Sequence, residues 1–399
     1  MNFVCISPNY PENYWMFCRG LKKYGAKVLA IVDTAYGHLN PNLRLYVDEV
    51  YIVSSFHNYE EMVRAVGYFT YRYGKIDWIE SNNEAWLDLD ARLRDDFNIH
   101  TGFSYNEILK LQSKAAMKAF YEKANIPTAP YTLPKSVDDA LNFAHSVGYP
   151  VVLKPDHGVG ASHTYQINND QDLVQYYRIT NTQQMILEKY INGDVFTLDG
   201  ICDENSNIRF LASLKYVGNC MESIQSQTSI GSYYDFHVSD EDWDIANRVI
   251  HSFGLKNRFF HGEYFRLKED TEGVGKKGLI LGLEMNFRPP GGFSPDLLNY
   301  SYDIDVYDLW AEVLLTQKAS YSKLQKYSAG FVGRRNSLTY KYTDDQIKDL
   351  FSEELLGVEQ LPPAFACAMG DTVIKARFTS EQRRQEFYDK TFEIQEEDS

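Results

Sequence analysis

The sequence predicts an α/β protein with an N-terminal parallel βαβ domain, a longer α+β region and a small α+β C-terminal appendage. Three observations carry this reading. Residues 1–100 alternate apolar runs with helical stretches closed by glycine. From Met185 onward the chain is mostly strand, interrupted by few helices. Glu284 and Asn286 stand two apart at the end of the apolar run 279–283, and Arg288 and Pro289-Pro290-Gly291-Gly292 follow directly.

Taken in order, 3–7 is a strand, 12–24 a helix ended by Gly25, and 27–32 and 49–53 are strands. Next come a helix over 59–73 ended by Gly74, a strand over 76–80 and a helix over 84–97. Strands separated by helices imply a parallel sheet covered on both faces. Ligands of such sheets sit beyond the carboxyl ends of the strands. The loops Ser7-Pro8-Asn9-Tyr10 and Ser81-Asn82-Asn83-Glu84 occupy those positions.

Helices over about 104–110 and 113–124 then lead to the extended segment Ile126-Pro127-Thr128-Ala129-Pro130 and a helix near 136–147. The strand 151–154 ends at Lys154, before the small-residue loop that carries Gly158, Gly160 and Ser162. Strand resumes at 185–191, and a helix is expected near 239–253. Strands over 259–267 and 278–288 form a hairpin, a helix spans 305–317, and residues 326–399 read as the appendage.

Composition narrows the function classes. A chain of 399 residues fits two or three domains, and its 44% hydrophobic content supports substantial cores. The formal net charge is −15, from 40 Lys and Arg against 55 Asp and Glu, which opposes a general nucleic-acid binder. Five dispersed cysteines without a C-x-x-C pair suit a reduced, cytoplasmic protein. The apolar N-terminus has no basic flank or cleavage site and reads as a strand, not a signal peptide. No apolar run approaches the ~20 residues of a membrane span.

The chemistry-bearing residues follow from strand geometry. Side chains two apart on a strand share a face, so Glu284, Asn286 and Arg288 point together. A carboxylate beside a carboxamide offers hard oxygen ligands, which suit Mg²⁺. The hairpin brings Glu263 close to Glu284, and two clustered carboxylates repel unless a cation lies between them. His261 shares the face of Glu263 and reads as a packed or hydrogen-bonded side chain rather than a ligand. Lys154, before Gly158 and Gly160, can reach phosphate, and Glu188 and Asp194 flank a turn able to meet a nucleoside. Taken singly, each of these has an ordinary reading as solvated charge or turn. Gly273-Val274-Gly275-Lys276-Lys277-Gly278 matches G-x-G-x-x-G by letter only, because a strand follows it where the dinucleotide motif needs a helix.

The order strand-end lysine, small-residue loop, Glu188-Lys189-Tyr190, Glu263 and Glu284-x-Asn286-x-Arg288 resembles the ATP-grasp superfamily from about residue 100 to 315. The resemblance implies a βαβ domain over 1–103, an ATP-grasp domain over 104–318 and a C-terminal subdomain over 319–399. The ATP-grasp domain would divide into a nucleotide lobe at about 104–187 and a metal lobe at about 188–318. It implies that Lys114 and Lys154 meet ATP phosphates, with Gly158, Gly160 and Ser162 in the covering loop. Glu188, Lys189, Tyr190 and Ile191 would frame adenine and Asp194 hold ribose. Glu263, Glu284 and Asn286 would carry one or two Mg²⁺, for which Mn²⁺ can substitute. Arg288 would serve the transferred phosphoryl group or the substrate carboxylate, and Gly291 and Gly292 would offer backbone to that carboxylate. Ser113 stands where the family often has Asp.

Within the superfamily the pattern is closest to carboxylate–amine ligases, including amino-acid ligases and carbamoyl-phosphate-synthase-like proteins. The implied reaction turns a small-molecule carboxylate into an acyl phosphate for attack by an amine or thiol. Glu84 and Arg92, on one expected helix, are substrate candidates. A small-molecule kinase and a nonenzymatic ATP-binding regulatory protein are the alternatives. No nucleic acid or membrane partner is expected, and a homo-oligomer is compatible with this reading.

Overall fold

The computed structural model describes residues 1–158, 163–180, 183–218, 226–322 and 326–395. In the first hundred residues the strands are β1 (Asn2–Ile6), β2 (Lys27–Val32), β3 (Glu49–Ile52) and β4 (Trp78–Glu80). They form one sheet in the order β3-β2-β1-β4, parallel throughout. Helices Tyr59–Tyr73 and Leu87–Asp96 bury Met62, Val66, Phe69 and Leu93 against one face. Helix Trp15–Lys23 covers the other face and crosses helix Val306–Thr316 closely. At that crossing a Cβ on Gly20 would lie 2.8 Å from the Tyr307 carbonyl oxygen. Strand order reverses between β1 and β4, so their carboxyl ends frame the crevice where such sheets bind ligands.

The second sheet has four strands, β5 (Tyr131–Thr132), β6 (Val151–Pro155), β7 (Tyr165–Ile167) and β8 (Met185–Lys189), in the order β5-β8-β6-β7. Helices Val137–Val147 and Asp170–Thr180 seal it over Val151, Leu153, Ile167 and Leu187.

The third sheet holds β9 (Gly193–Cys202), β10 (Ile208–Val217), β11 (Ile230–Tyr234), β12 (Arg258–Leu267), β13 (Ile280–Asn286), β14 (Ser328–Arg334), β15 (Leu355–Gln360) and β16 (Thr372–Phe378). Their order is β13-β12-β9-β10-β11-β14-β16-β15. The helices Tyr105–Leu111 and Lys114–Lys123, assigned to the nucleotide lobe, bury Ile108, Leu111, Met117 and Tyr121 with Phe196, Phe260 and Tyr264 of the eight-stranded sheet. The strands of the C-terminal appendage extend this sheet, because β14 pairs with β11 and carries β16 and β15 outward.

Cys5, Cys18 and Cys202 are buried free thiols. Among the described residues, no helix is long and apolar enough to cross a membrane.

Candidate functional site

Between the four-stranded and eight-stranded sheets lies a cleft of about 330 Å³. One wall is the hairpin β12–β13. Glu263 pairs directly with Glu284 and His261 with Asn286, as the alternation of side chains requires. The register shifts just after Glu263, between Glu263 and Tyr264. Gly282 on β13 is a point of close approach. A Cβ there would lie 2.4 Å from the Tyr121 ring, so glycine lets helix Lys114–Lys123 rest on the strand. That contact brings Lys114 to the hairpin, with its ammonium 3.7 Å from Glu284.

Lys114 opens its helix and is buried. Its Nζ also donates to the Gly158 carbonyl at 2.8 Å. Ser113 caps the helix through the Ala116 N–H and donates to Asp156, whose other oxygen accepts from the Ala115 N–H. The carboxylate expected beside Lys114 is therefore supplied by Asp156, from the end of β6. A negative group at a helix N-terminus is also favoured by the helix dipole.

The opposite wall carries Lys154 on β6 and Glu188 on β8. The resemblance has Glu188 among the residues that frame adenine. Its two oxygens face two ammonium groups, Lys118 at 2.5 Å and Lys154 at 2.6 Å. All three side chains are buried. Burial alone would raise the Glu188 pKa, but the two lysines hold it down at about 2. Lys118 was missed in the sequence, although it follows Lys114 by four residues and so shares its helix face.

His261 is held on both sides, by Asp199 at 2.6 Å from Nδ1 and by Glu263 at 3.2 Å from Nε2. Asp199 also accepts from the Tyr234 hydroxyl and from Thr197. Burial opposes charge on the imidazole, yet Asp199 and Glu263 outweigh it and raise its pKa to about 9. Of the two readings, packed or hydrogen-bonded, His261 is thus the hydrogen-bonded one.

Arg288 leaves β13 towards the N-terminal domain and lies 3.3 Å from Glu84, in the loop after β4. Tyr14 donates to the Asn82 carbonyl in the same loop. The crevice of the parallel sheet therefore opens onto the cleft. Burial raises the Glu84 pKa, against the pull of Arg288 and Lys114.

The cleft brings together Lys114, Lys154, Glu188, Lys189, Tyr190, Ile191, Glu263, Glu284, Asn286 and Arg288. Other candidates stand elsewhere. Asp194 is exposed and pairs with Lys268 at 3.0 Å rather than lining the cleft. Arg92 is exposed and lies over the Tyr59 ring at 3.5 Å. It does not share a helix with Glu84, which sits in a separate 3₁₀ turn, Glu84–Trp86. Gly291 and Gly292 are exposed after Arg288. Gly160 and Ser162 lie outside the described residues. β8 is an interior strand rather than an edge, and the N–H groups of Lys189 and Tyr190 already donate to the Pro130 and Pro150 carbonyls.

The donor set fits a hard divalent cation. Burial pushes the Glu284 carboxyl above its ordinary range and the Glu263 charge adds to this, while Lys114 and Lys154 pull the other way. A cation between the two glutamates relieves that repulsion. Among the described residues, no group of three His, Cys, Asp or Glu forms a metal cage. Two carboxylates and an amide suit Mg²⁺ shared with substrate phosphates, since Mg²⁺ keeps few protein ligands.

Residues 113–223 match the family described as carbamoyl-phosphate synthase L chain, ATP binding domain. The chain is 24% identical over 292 residues to the L-arginine-specific L-amino acid ligase of Bacillus subtilis, covering 71% of this chain and 69% of that one. The fold is similar to the crystal structure of L-amino acid ligase from Bacillus licheniformis, with TM-score 0.72 and 16% identity. That match covers 100% of this chain and 98% of the other. It is also similar to N5-carboxyaminoimidazole synthetase from Staphylococcus aureus complexed with ADP, with TM-score 0.69 and 17% identity. There the coverage is 98% of this chain and 96% of the other.

Proposed function

We propose, from the premise that this chain is ATP-grasp and carboxylate–amine ligase-like, that it joins a small-molecule carboxylate to an amine at the expense of ATP. The observation that carries this is the convergence of Lys114, Lys154, Glu263, Glu284, Asn286 and Arg288 on one cleft. A carboxylate resists attack by an amine because it has no good leaving group. Phosphorylation by ATP makes an acyl phosphate, and the amine then displaces phosphate. A thiol could take the same place.

Each residue has a role that its surroundings support. Lys114 and Lys154 neutralise phosphate charge from opposite walls. Residues 188–191 flank the base, and Glu263, Glu284 and Asn286 hold one or two Mg²⁺. The bound metal would draw negative charge from the phosphoryl group as it transfers. Arg288 meets the carboxylate where the N-terminal crevice joins the cleft, and Glu84 keeps its guanidinium aimed there. His261, fixed by Asp199, orients the Glu263 carboxylate.

The test is product analysis with pooled carboxylates and amines. The proposal expects ADP and phosphate in equal amounts, with both substrates required. ADP with a stable phosphorylated product would make the protein a kinase. AMP and pyrophosphate would also overturn the proposal.

A further inference from the structure

Lys118 has no part in the roles given above, yet it is buried at the cleft and paired as closely to Glu188 as Lys154 is. Its ammonium also lies 5.1 Å from the Tyr131 ring. Glu188 therefore shares one buried carboxylate between a lysine that faces the phosphates and a lysine that comes from the neighbouring helix.

That arrangement addresses a conflict at the site. A phosphate that draws Lys154 towards it competes with Glu188. With a single lysine, Lys154 would have to leave behind a buried, unpaired carboxylate. Breaking such a pair by losing one partner is among the costlier events in a protein interior. A second lysine already in place removes most of that cost.

We infer that Lys118 is a positioning residue that keeps Glu188 paired while Lys154 turns to the nucleotide phosphates. The inference rests on the reading of this cleft as an ATP site. The two ammonium groups face one carboxylate from different elements, β6 and helix Lys114–Lys123. Lys154 can therefore move without dragging Lys118. Burial pulls the Lys118 pKa down, and Glu188 is the neighbour that opposes this, so the pair needs the carboxylate charged. The role acts on nucleotide binding and leaves the chemical step alone.

The experiment is a double-mutant cycle read by calorimetry with MgATP on the full chain. Lys118→Met should weaken ATP binding roughly tenfold or more, because the departure of Lys154 now strands Glu188. The KM for ATP should rise while kcat changes little. Glu188→Gln alone is the reference arm, and adding it to Lys118→Met should bring the affinity back to that of Glu188→Gln alone, since a neutral amide makes no demand on a cation. Lys118→Arg should also keep most of it. Lys118→Gln serves in place of Lys118→Met should the latter not fold, with the same loss and the same recovery expected.

Wild-type affinity in Lys118→Met overturns the inference. So does a loss that Glu188→Gln fails to repair, because Lys118 would then act on the nucleotide directly or on the fold. Absence of ATP binding by the unaltered protein overturns the ATP-site reading itself and the inference with it.

Discussion

Glu263 on β12 stands directly opposite Glu284 on β13, in a cleft whose other wall holds a lysine-bound carboxylate. Two acidic side chains facing each other across a strand pair destabilise a sheet unless something compensates them. The nearby cations do so only in part. Lys114 approaches Glu284, and His261 approaches Glu263. The remaining imbalance suits a divalent cation brought in with a nucleotide.

Glu284→Gln should lower turnover by roughly 100-fold or more, because one of two anionic metal ligands is lost. The metal-free protein should be no less stable than wild type, since burial disfavours charge at this carboxyl. Steady-state kinetics across a Mg²⁺ titration, with a melting curve, checks both. Unaltered Mg²⁺-dependent ATP consumption would remove Glu284 from the metal site.

Lys154→Met should weaken ATP binding roughly 10- to 100-fold by deleting a charge-assisted contact to phosphate. The fold should survive, because Lys118 still pairs with Glu188. Calorimetry that returns wild-type affinity would place the phosphates elsewhere.

Arg288→Lys should leave ATP affinity intact and reduce kcat on the order of 100-fold, since an ammonium cannot reproduce the planar fork that meets a carboxylate. A loss confined to ATP affinity would move Arg288 from the carboxylate to the nucleotide.

Asp90 gives a pH dependence outside the cleft. It is fully buried on helix Leu87–Asp96, where one oxygen accepts from the N–H and hydroxyl of Ser81, just after β4. Burial first, then the charge of Glu80, raises its pKa to about 7. The folded state thus holds a proton that the unfolded chain releases near the ordinary aspartate value of about 3.9. Stability from this group is greatest below that value and falls as pH rises towards 7. Asp90→Asn should therefore stabilise the protein more at pH 8 than at pH 4.5, by on the order of 1–3 kcal/mol. Denaturant melts giving the same difference at both pH values would contradict this.

The local features of the site were legible in the sequence. A period of two set the faces of β12 and β13 and the hairpin brought Glu263 near Glu284, but their direct pairing needs the register shift between Glu263 and Tyr264, which counting from the loop does not give. The βαβ rhythm located Glu84 at a strand's carboxyl end, where it meets Arg288. Long-range pairings were not legible. Glu188 on β8 meets Lys118 on a helix that packs against the eight-stranded sheet, and Asp199 reaches His261 only because β9 lies beside β12. The C-terminal strands looked separate because the Ile230–Gly333 pairing joins segments far apart in sequence. Arg92 misled because an exposed arginine near a functional loop reads the same whether it meets a substrate or stacks on Tyr59.

The central claim is that the carboxylate attacks the γ-phosphoryl group of ATP. It is tested most directly by labelling that carboxylate with oxygen-18 and weighing the released phosphate by mass spectrometry, once a substrate pair has been found. An acyl phosphate intermediate requires one labelled oxygen to leave with the phosphate, alongside ADP. Phosphate without label, or label recovered in AMP, would contradict the account.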